Sequence, residues 1–212
     1  MPGRDVATGL RVENILDLRA YERVRDEYRR RIIELKRRRR VSIGPILTAV
    51  FECADTVRFQ VQEMARAERI ASDEGIQQEL DVYNRLLPAA GELSATLFVE
   101  LTTEDELRHW LPRLVGIERS LAFELGDPVE TIVPSLPETT HAEALTRETV
   151  TAAVHYVRFA VPTDARAGFS NGQPVALAAH HPEYEARTVL PSEVREELAG
   201  DIGGRTTLLA LG

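Results

Sequence analysis

The sequence predicts an α+β fold: an antiparallel or mixed sheet built from hairpins, packed with several helices and led by a long N-terminal amphipathic helix. Three observations carry that expectation. Apolar residues recur every three or four positions from Asn14 to Lys36, the period of a helix with one buried stripe. β-rich runs come in pairs joined by tight turns, around residues 46–62 and 175–190, which favours hairpins over strand-helix-strand units. Helical patterns cluster between these pairs and do not alternate regularly with single strands.

In the first helix Ile15, Leu18, Tyr21, Val24, Tyr28, Ile32 and Leu35 form the stripe, while Arg19, Arg23, Arg25, Arg29 and Arg30 interleave with Glu22, Asp26 and Glu27 elsewhere. That mixture suits a solvated helix with internal ion pairs. Gly44-Pro45 ends the pattern. Ile46 to Glu52 and Thr56 to Gln62 read as two strands around a Cys53-Ala54-Asp55 turn. On the second, Val57, Phe59 and Val61 share one face and Arg58, Gln60 and Gln62 the other, a polar ladder. Helical spacing then takes over. Met64, Ala67, Ile70 and Ala71 line one segment, Ser72 to Gly75 interrupts it, and Ile76, Leu80, Tyr83 and Leu87 line another.

Leu93 to Glu100 is the next expected strand, and Thr103-Glu104-Asp105-Glu106 is a capping box opening a helix through Leu114, kinked or shortened by Pro112. Glu118 to Leu125 reads as a strand, and the aperiodic stretch 126–145, with its three prolines, as a loop or linker. Thr149 to Val161 is β-rich. Val175 to Ala179 and Tyr184 to Leu190 form a second hairpin around His180-His181-Pro182-Glu183, and Pro191 to Ala199 a short closing helix. Gly203-Gly204 frees an apolar tail, Leu208 to Leu211, with two outcomes open: docking on the body or a partner, or no fixed order. The expected organisation is a basic helix at 1–40, an α+β body at 41–125, a linker at 126–145, a β-rich part packed on the body at 146–202 and a tail at 203–212.

The chain has 212 residues and is 43% hydrophobic, ample for a core. Its Met1-Pro2-Gly3-Arg4 start lacks an apolar signal region and no run of about 18 apolar residues occurs, so a cytoplasmic protein without a membrane span is expected. A single cysteine, Cys53, excludes an internal disulfide and a cysteine-built metal cluster within one chain. The net charge of -8 is uneven: residues 1–40 hold 13 Lys/Arg against 7 Asp/Glu, and the rest holds 13 against 27. A basic helix on an acidic body, its own or that of a second copy, is the economical reading, and a homodimer through this helix is the expected assembly. The acidic body and the scarcity of interleaved aromatics argue against nucleic acid. Arginine outnumbers lysine 25 to 1, so Arg37-Arg38-Arg39-Arg40 reads as a basic run without specific chemistry.

Where the ladder meets the following helix, Arg58, Gln60, Gln62, Glu63 and Arg66 converge as the expected ligand or partner site, with Glu52 across the turn as a neighbour. Arginine beside carboxylate keeps the carboxylate ionised, which suits anchoring more than general acid work. A metal set of Glu63, Glu68, His155, His180 and His181, holding iron or zinc, is the alternative, although adjacent histidines on a strand point opposite ways. His109 and His141 belong to no signature, and His155 fits a satisfied core histidine. No His-Glu-x-x-His, Gly-x-Ser-x-Gly, Gly-x-x-x-x-Gly-Lys or Gly-x-Gly-x-x-Gly is present.

The segments Arg23 to Arg29, Asp55 to Glu68, Glu79 to Asn84, Glu92 to Leu97 and Thr151 to Tyr156 together resemble an uncharacterised bacterial family known as a domain of unknown function. Genes of that family often lie beside rubrerythrin-like and cysteine-rich iron-sulfur oxidoreductase proteins. The resemblance implies a redox or iron-linked context and a redox protein as partner, and it brings no catalytic residue. Two functions follow as expectations: a binding or assembly protein in redox or iron homeostasis, or a metal-dependent redox or hydrolytic enzyme.

Overall fold

The long N-terminal helix is present as α1, Leu18–Arg37, with the Asp17 side chain capping it by accepting from the Ala20 amide at 2.9 Å. The computed structural model describes residues 9–138, 149–205 and 208–211. After α1 come strands β1 (Arg40–Ile43) and β2 (Leu47–Phe51), helices α2 (Ala54–Ala67) and α3 (Asp73–Tyr83), strand β3 (Glu92–Val99) and helix α4 (Glu104–Trp110). Strands β4 (Leu121–Leu125), β5 (Thr131–Pro134), β6 (Leu136–Pro137), β7 (Val154–Ala160), β8 (Val175–His181) and β9 (Tyr184–Val189) follow, and α5 (Ser192–Ile202) closes the set.

The strands form two antiparallel sheets, with orders β1-β2-β3-β7-β6 and β5-β4-β8-β9. Their inner faces share one core. Ile43, Ala49, Phe51, Leu97, Val157 and Phe159 of the first sheet meet Phe123, Val133, Val175 and Leu177 of the second, and Val194 and Leu198 of α5 join them. The Phe123 ring lies 4.7 Å from Phe159 and 5.6 Å from Phe51, centroid to centroid, within the range of favourable aromatic pairs. At one edge the chain passes from β5 to β6 and so from one sheet to the other. Near the other, the Tyr184 hydroxyl donates to Ile43 O at 2.5 Å and the Thr188 hydroxyl to Ser42 O at 2.7 Å.

The α+β class, the antiparallel pairing, the leading helix and the capping box at Thr103 and Glu106 all match the sequence reading. Two stretches differ. Residues 56–62 are helix, part of α2, so there is no hairpin at Cys53 and no polar ladder. Cys53 is the N-cap residue, and Thr56 accepts its amide at 2.9 Å through Oγ1. The alternation misleads because α2 is buried on more than one side. Val57, Val61 and Ala65, four apart, face one cluster with Leu80, while Phe59 faces another with Tyr28. A helix enclosed in this way carries apolar residues outside a single stripe, and tertiary packing overrides the β-branched preference. In the 126–145 stretch, β5 and β6 are formed before the described residues break off after 138.

The stripe of α1 is covered within the chain: Tyr21, Tyr28 and Ile32 are buried, with Phe59 and the tail residues Leu209 and Leu211 against them. The basic run is specific as well. Arg39 is 2% exposed and grips Asp201 of α5 through both terminal nitrogens, at 2.6 and 2.8 Å, the two-pronged geometry that arginine offers a carboxylate. Arg37 pairs with Glu34, Arg38 with Glu197 and Arg40 with Glu100. No described helix is long and apolar enough to cross a membrane.

Candidate functional site

Helix α2 distributes the five residues of the expected ligand site. Gln62 is fully buried and clamps the backbone of Leu16, accepting from its amide at 2.9 Å and donating to its carbonyl at 2.8 Å. Glu63 accepts two bonds from Arg25, at 2.8 and 2.7 Å, and one from the Tyr21 hydroxyl at 2.7 Å. The Arg25 guanidinium holds its carboxyl below the usual range. Arg66 reaches Glu22 at 2.5 Å. Glu63 and Arg66 fasten α1 to α2, and Gln62 ties α2 to the segment leading into α1.

Arg58, also buried, pairs with Asp55 at 2.8 Å and donates to the Leu209 carbonyl at 2.6 Å. Both Asp55 oxygens accept from the Leu209 amide, at 3.0 and 3.1 Å. The tail therefore docks on the body. Gln60 lines a sizeable cavity.

The metal set is spread over separate elements. Glu63 is engaged as above, and Glu68 is the C-cap of α2. His155 is buried on β7 with Nε2 2.9 Å from both the Thr151 hydroxyl and the Ala152 carbonyl, and Nδ1 3.9 Å from Glu118. Burial holds its imidazole below the usual range, against the pull of Glu118. His180 points outward to Glu124 at 2.9 Å. His181 points the other way, with Nε2 3.0 Å from the Val115 carbonyl and Nδ1 accepting the Glu183 amide at 3.2 Å. Among the described residues no three His, Cys, Asp or Glu side chains gather closely enough to hold an ion. His109 lies on α4 beside Arg113, and His141 lies outside the described residues. Burial pushes the Cys53 thiol up, with nearby Arg39 opposing it, so the thiolate that a reactive cysteine needs is disfavoured.

A cavity of about 370 Å³ lies between the outer face of the first sheet and the helices above it, near the lower end of the roughly 300–1,000 Å³ of small-molecule sites. Its floor is a row of directly paired residues, Arg40, Val50, Thr96 and Tyr156, one from each of four adjacent strands. At about 4.8 Å per strand the row spans about 14 Å. Phe98 and Val154, paired across β3 and β7, extend it on one side, and Glu52, just past β2, bounds it on the other. Lys36 from the end of α1 and Gln60 from α2 complete the lining.

Glu52 is the unusual member. It is 3% exposed, and it accepts from the Thr96 hydroxyl at 2.6 Å and from that of Thr56. Among the described residues no Lys, Arg or His lies within ion-pair distance of it. Buried carboxylates are ordinarily paired with a cation. Burial also pushes the Tyr156 phenol above its ordinary value, and Tyr83 and Glu52 add to the shift. Gln60 is hydrogen-bonded to Tyr83. Lys36 and Arg40 escape a reading of the sequence as cavity residues because Thr96 and Tyr156, which complete the site, lie far from them and from each other along the chain. The one local signal is Glu52 itself, a carboxylate closing the apolar run Leu47–Phe51.

These features define a two-sheet α+β sandwich with a helical roof over a charged cavity. The chain belongs to the DUF3501 family, whose model, described as a protein of unknown function, matches residues 9–202. It is also similar to a protein from Burkholderia pseudomallei whose crystal structure is described as that of a novel protein of unknown function. The two share 36% identity with a TM-score of 0.82, over 92% of this chain and 100% of the other. No curated protein matches the sequence.

Proposed function

We propose that the protein is a binding protein for a small organic molecule, held in the roofed cavity with a cationic group against Glu52. The observation that carries this reading is a buried carboxylate in a cavity wall that has hydroxyl donors and no cation beside it. A ligand ammonium supplies the missing charge, with Tyr156 and Gln60 near enough to line its surroundings. The redox and iron context implied by the family resemblance is the setting in which such a ligand would be used.

A panel of primary amines screened by thermal shift, followed by calorimetry, tests the reading. Binding should fall at least tenfold in Glu52→Gln, because truncating one partner of a buried charge pair costs about 2–5 kcal/mol. Amine binding that is unchanged in Glu52→Gln, with the variant still folded, would place the ligand elsewhere.

A further inference from the structure

Glu52 is not the cavity's one unmatched charge. Lys36, the single lysine of the chain, lines the same space with its ammonium 6.0 Å from the centroid of the Phe59 ring. Among the described residues it makes no ion pair, and it does not pair with Glu52, so the two charges stand more than 4.0 Å apart. Arg40 is different. Its guanidinium is taken by Glu100, which also accepts from the Thr48 hydroxyl at 2.9 Å. The cavity therefore presents one carboxylate and one ammonium more than 4.0 Å apart, and Val50, Phe98 and Val154 add apolar surface to the same lining.

Resting on the cavity reading above, we propose that the ligand is a zwitterion of the free α-amino acid class, with its ammonium on Glu52, its carboxylate on Lys36 and an apolar side chain over Val50, Phe98 and Val154. A simple amine satisfies Glu52 and leaves Lys36 without a partner. A simple carboxylic acid satisfies Lys36 but brings a like charge into the cavity with Glu52 and leaves that group uncompensated. Discrimination arises as much from the charge each wrong ligand strands as from the contacts the right one makes.

The test is titration calorimetry at neutral pH with the twenty common L-amino acids. The best binder is then compared with its decarboxylated amine and its deaminated acid; for leucine these are 3-methylbutylamine and 4-methylpentanoate. The zwitterion should bind at least tenfold more tightly than either analogue. Lys36→Met, which keeps an unbranched side chain over Phe59, should reduce it to the level of the amine. Glu52→Gln should reduce it to the level of the acid, with both variants shown by circular dichroism to be folded. An amine that binds as tightly as its amino acid, and loses that binding in Glu52→Gln, overturns the zwitterion while leaving the cavity reading intact. No binding by any amino acid at millimolar concentration overturns it too, and the amine panel then decides the cavity reading separately.

Discussion

The outer faces of the two sheets are finished in opposite ways, although both sheets are antiparallel and share one core. Helices roof the first. Beneath them Thr48, Glu52, Ser94 and Thr96 are buried polar residues on the outward side of β2 and β3, and a cavity remains between floor and roof. The second sheet is open at its edges, where Ile132 on one side and Val189 on the other are 60% and 54% exposed. Its middle is made of Ala122, Ala176 and Ala178, with Glu124 lying under His180 and Arg187 at 2.9 and 2.7 Å. The middle of this face is nevertheless buried, with Ala176 and Ala178 at 0% and Glu124 at 8% exposure, and only its edges are open. The contrast shows where chemistry can be built. A buried polar group needs a designated partner on either face: Glu124 has His180 and Arg187, whereas Glu52 has two hydroxyls and, among the described residues, no cation.

Breaking a buried ion pair tests this contrast most strongly. Arg58→Met should destabilise the protein by about 3 kcal/mol, since Asp55 is left buried without its cation, and it should free the tail for cleavage in limited proteolysis. Arg187→Met should cost less, about 1 kcal/mol, because Arg187 is half exposed and Glu124 keeps its contact with His180. Urea melts of both variants measure the difference, and equal costs would break the comparison.

Apolar truncation comes next. Leu80 of α3 is fully buried against Val57, Val61 and Ala65 of α2, and Leu80→Ala should cost about 2–5 kcal/mol. Val189→Ala should stay within about 0.5 kcal/mol. A large loss at Val189 would mean that the open edge is covered in solution, and a light-scattering mass would then show by what.

The smallest effect is a pH dependence at the base of the sandwich. Because burial holds the His155 imidazole below its usual range, the unfolded chain takes up this proton before the native one as pH falls. The stability it contributes is therefore whole above about pH 6.5 and declines as pH drops toward the lowered native value. Between pH 7.5 and 5.5 the wild type should lose more stability than His155→Phe does. Parallel slopes for the two proteins would show that His155 titrates normally in the native state.

Legibility in the sequence followed how local the cause was. The helix at Leu18–Arg37, the capping box at Thr103 and Glu106, and the pairing of β8 with β9 rest on spacing and turn chemistry within a few residues, and they could be read directly. Helix α2 could not. Val57, Phe59 and Val61 alternate as a strand would, and only the clusters on two sides of the helix explain why each is apolar. Arg39 stands in a run of four arginines and differs from its neighbours solely because Asp201 waits 162 positions away. The cavity is a similar case. Its floor takes one residue from each of four strands spread between Arg40 and Tyr156, so no local pattern announces it.

The sequence by itself determined the fold class, the leading helix, the hairpin near the C-terminus and the lack of a cysteine-built site, because periodicity, caps and composition are properties of neighbouring residues. Tertiary structure alone decided which charges are buried, which arginines are committed and where a ligand can sit. Those outcomes depend on burial and on partners brought together across 100 residues or more, and the energy of a charge is set by its surroundings and not by its identity.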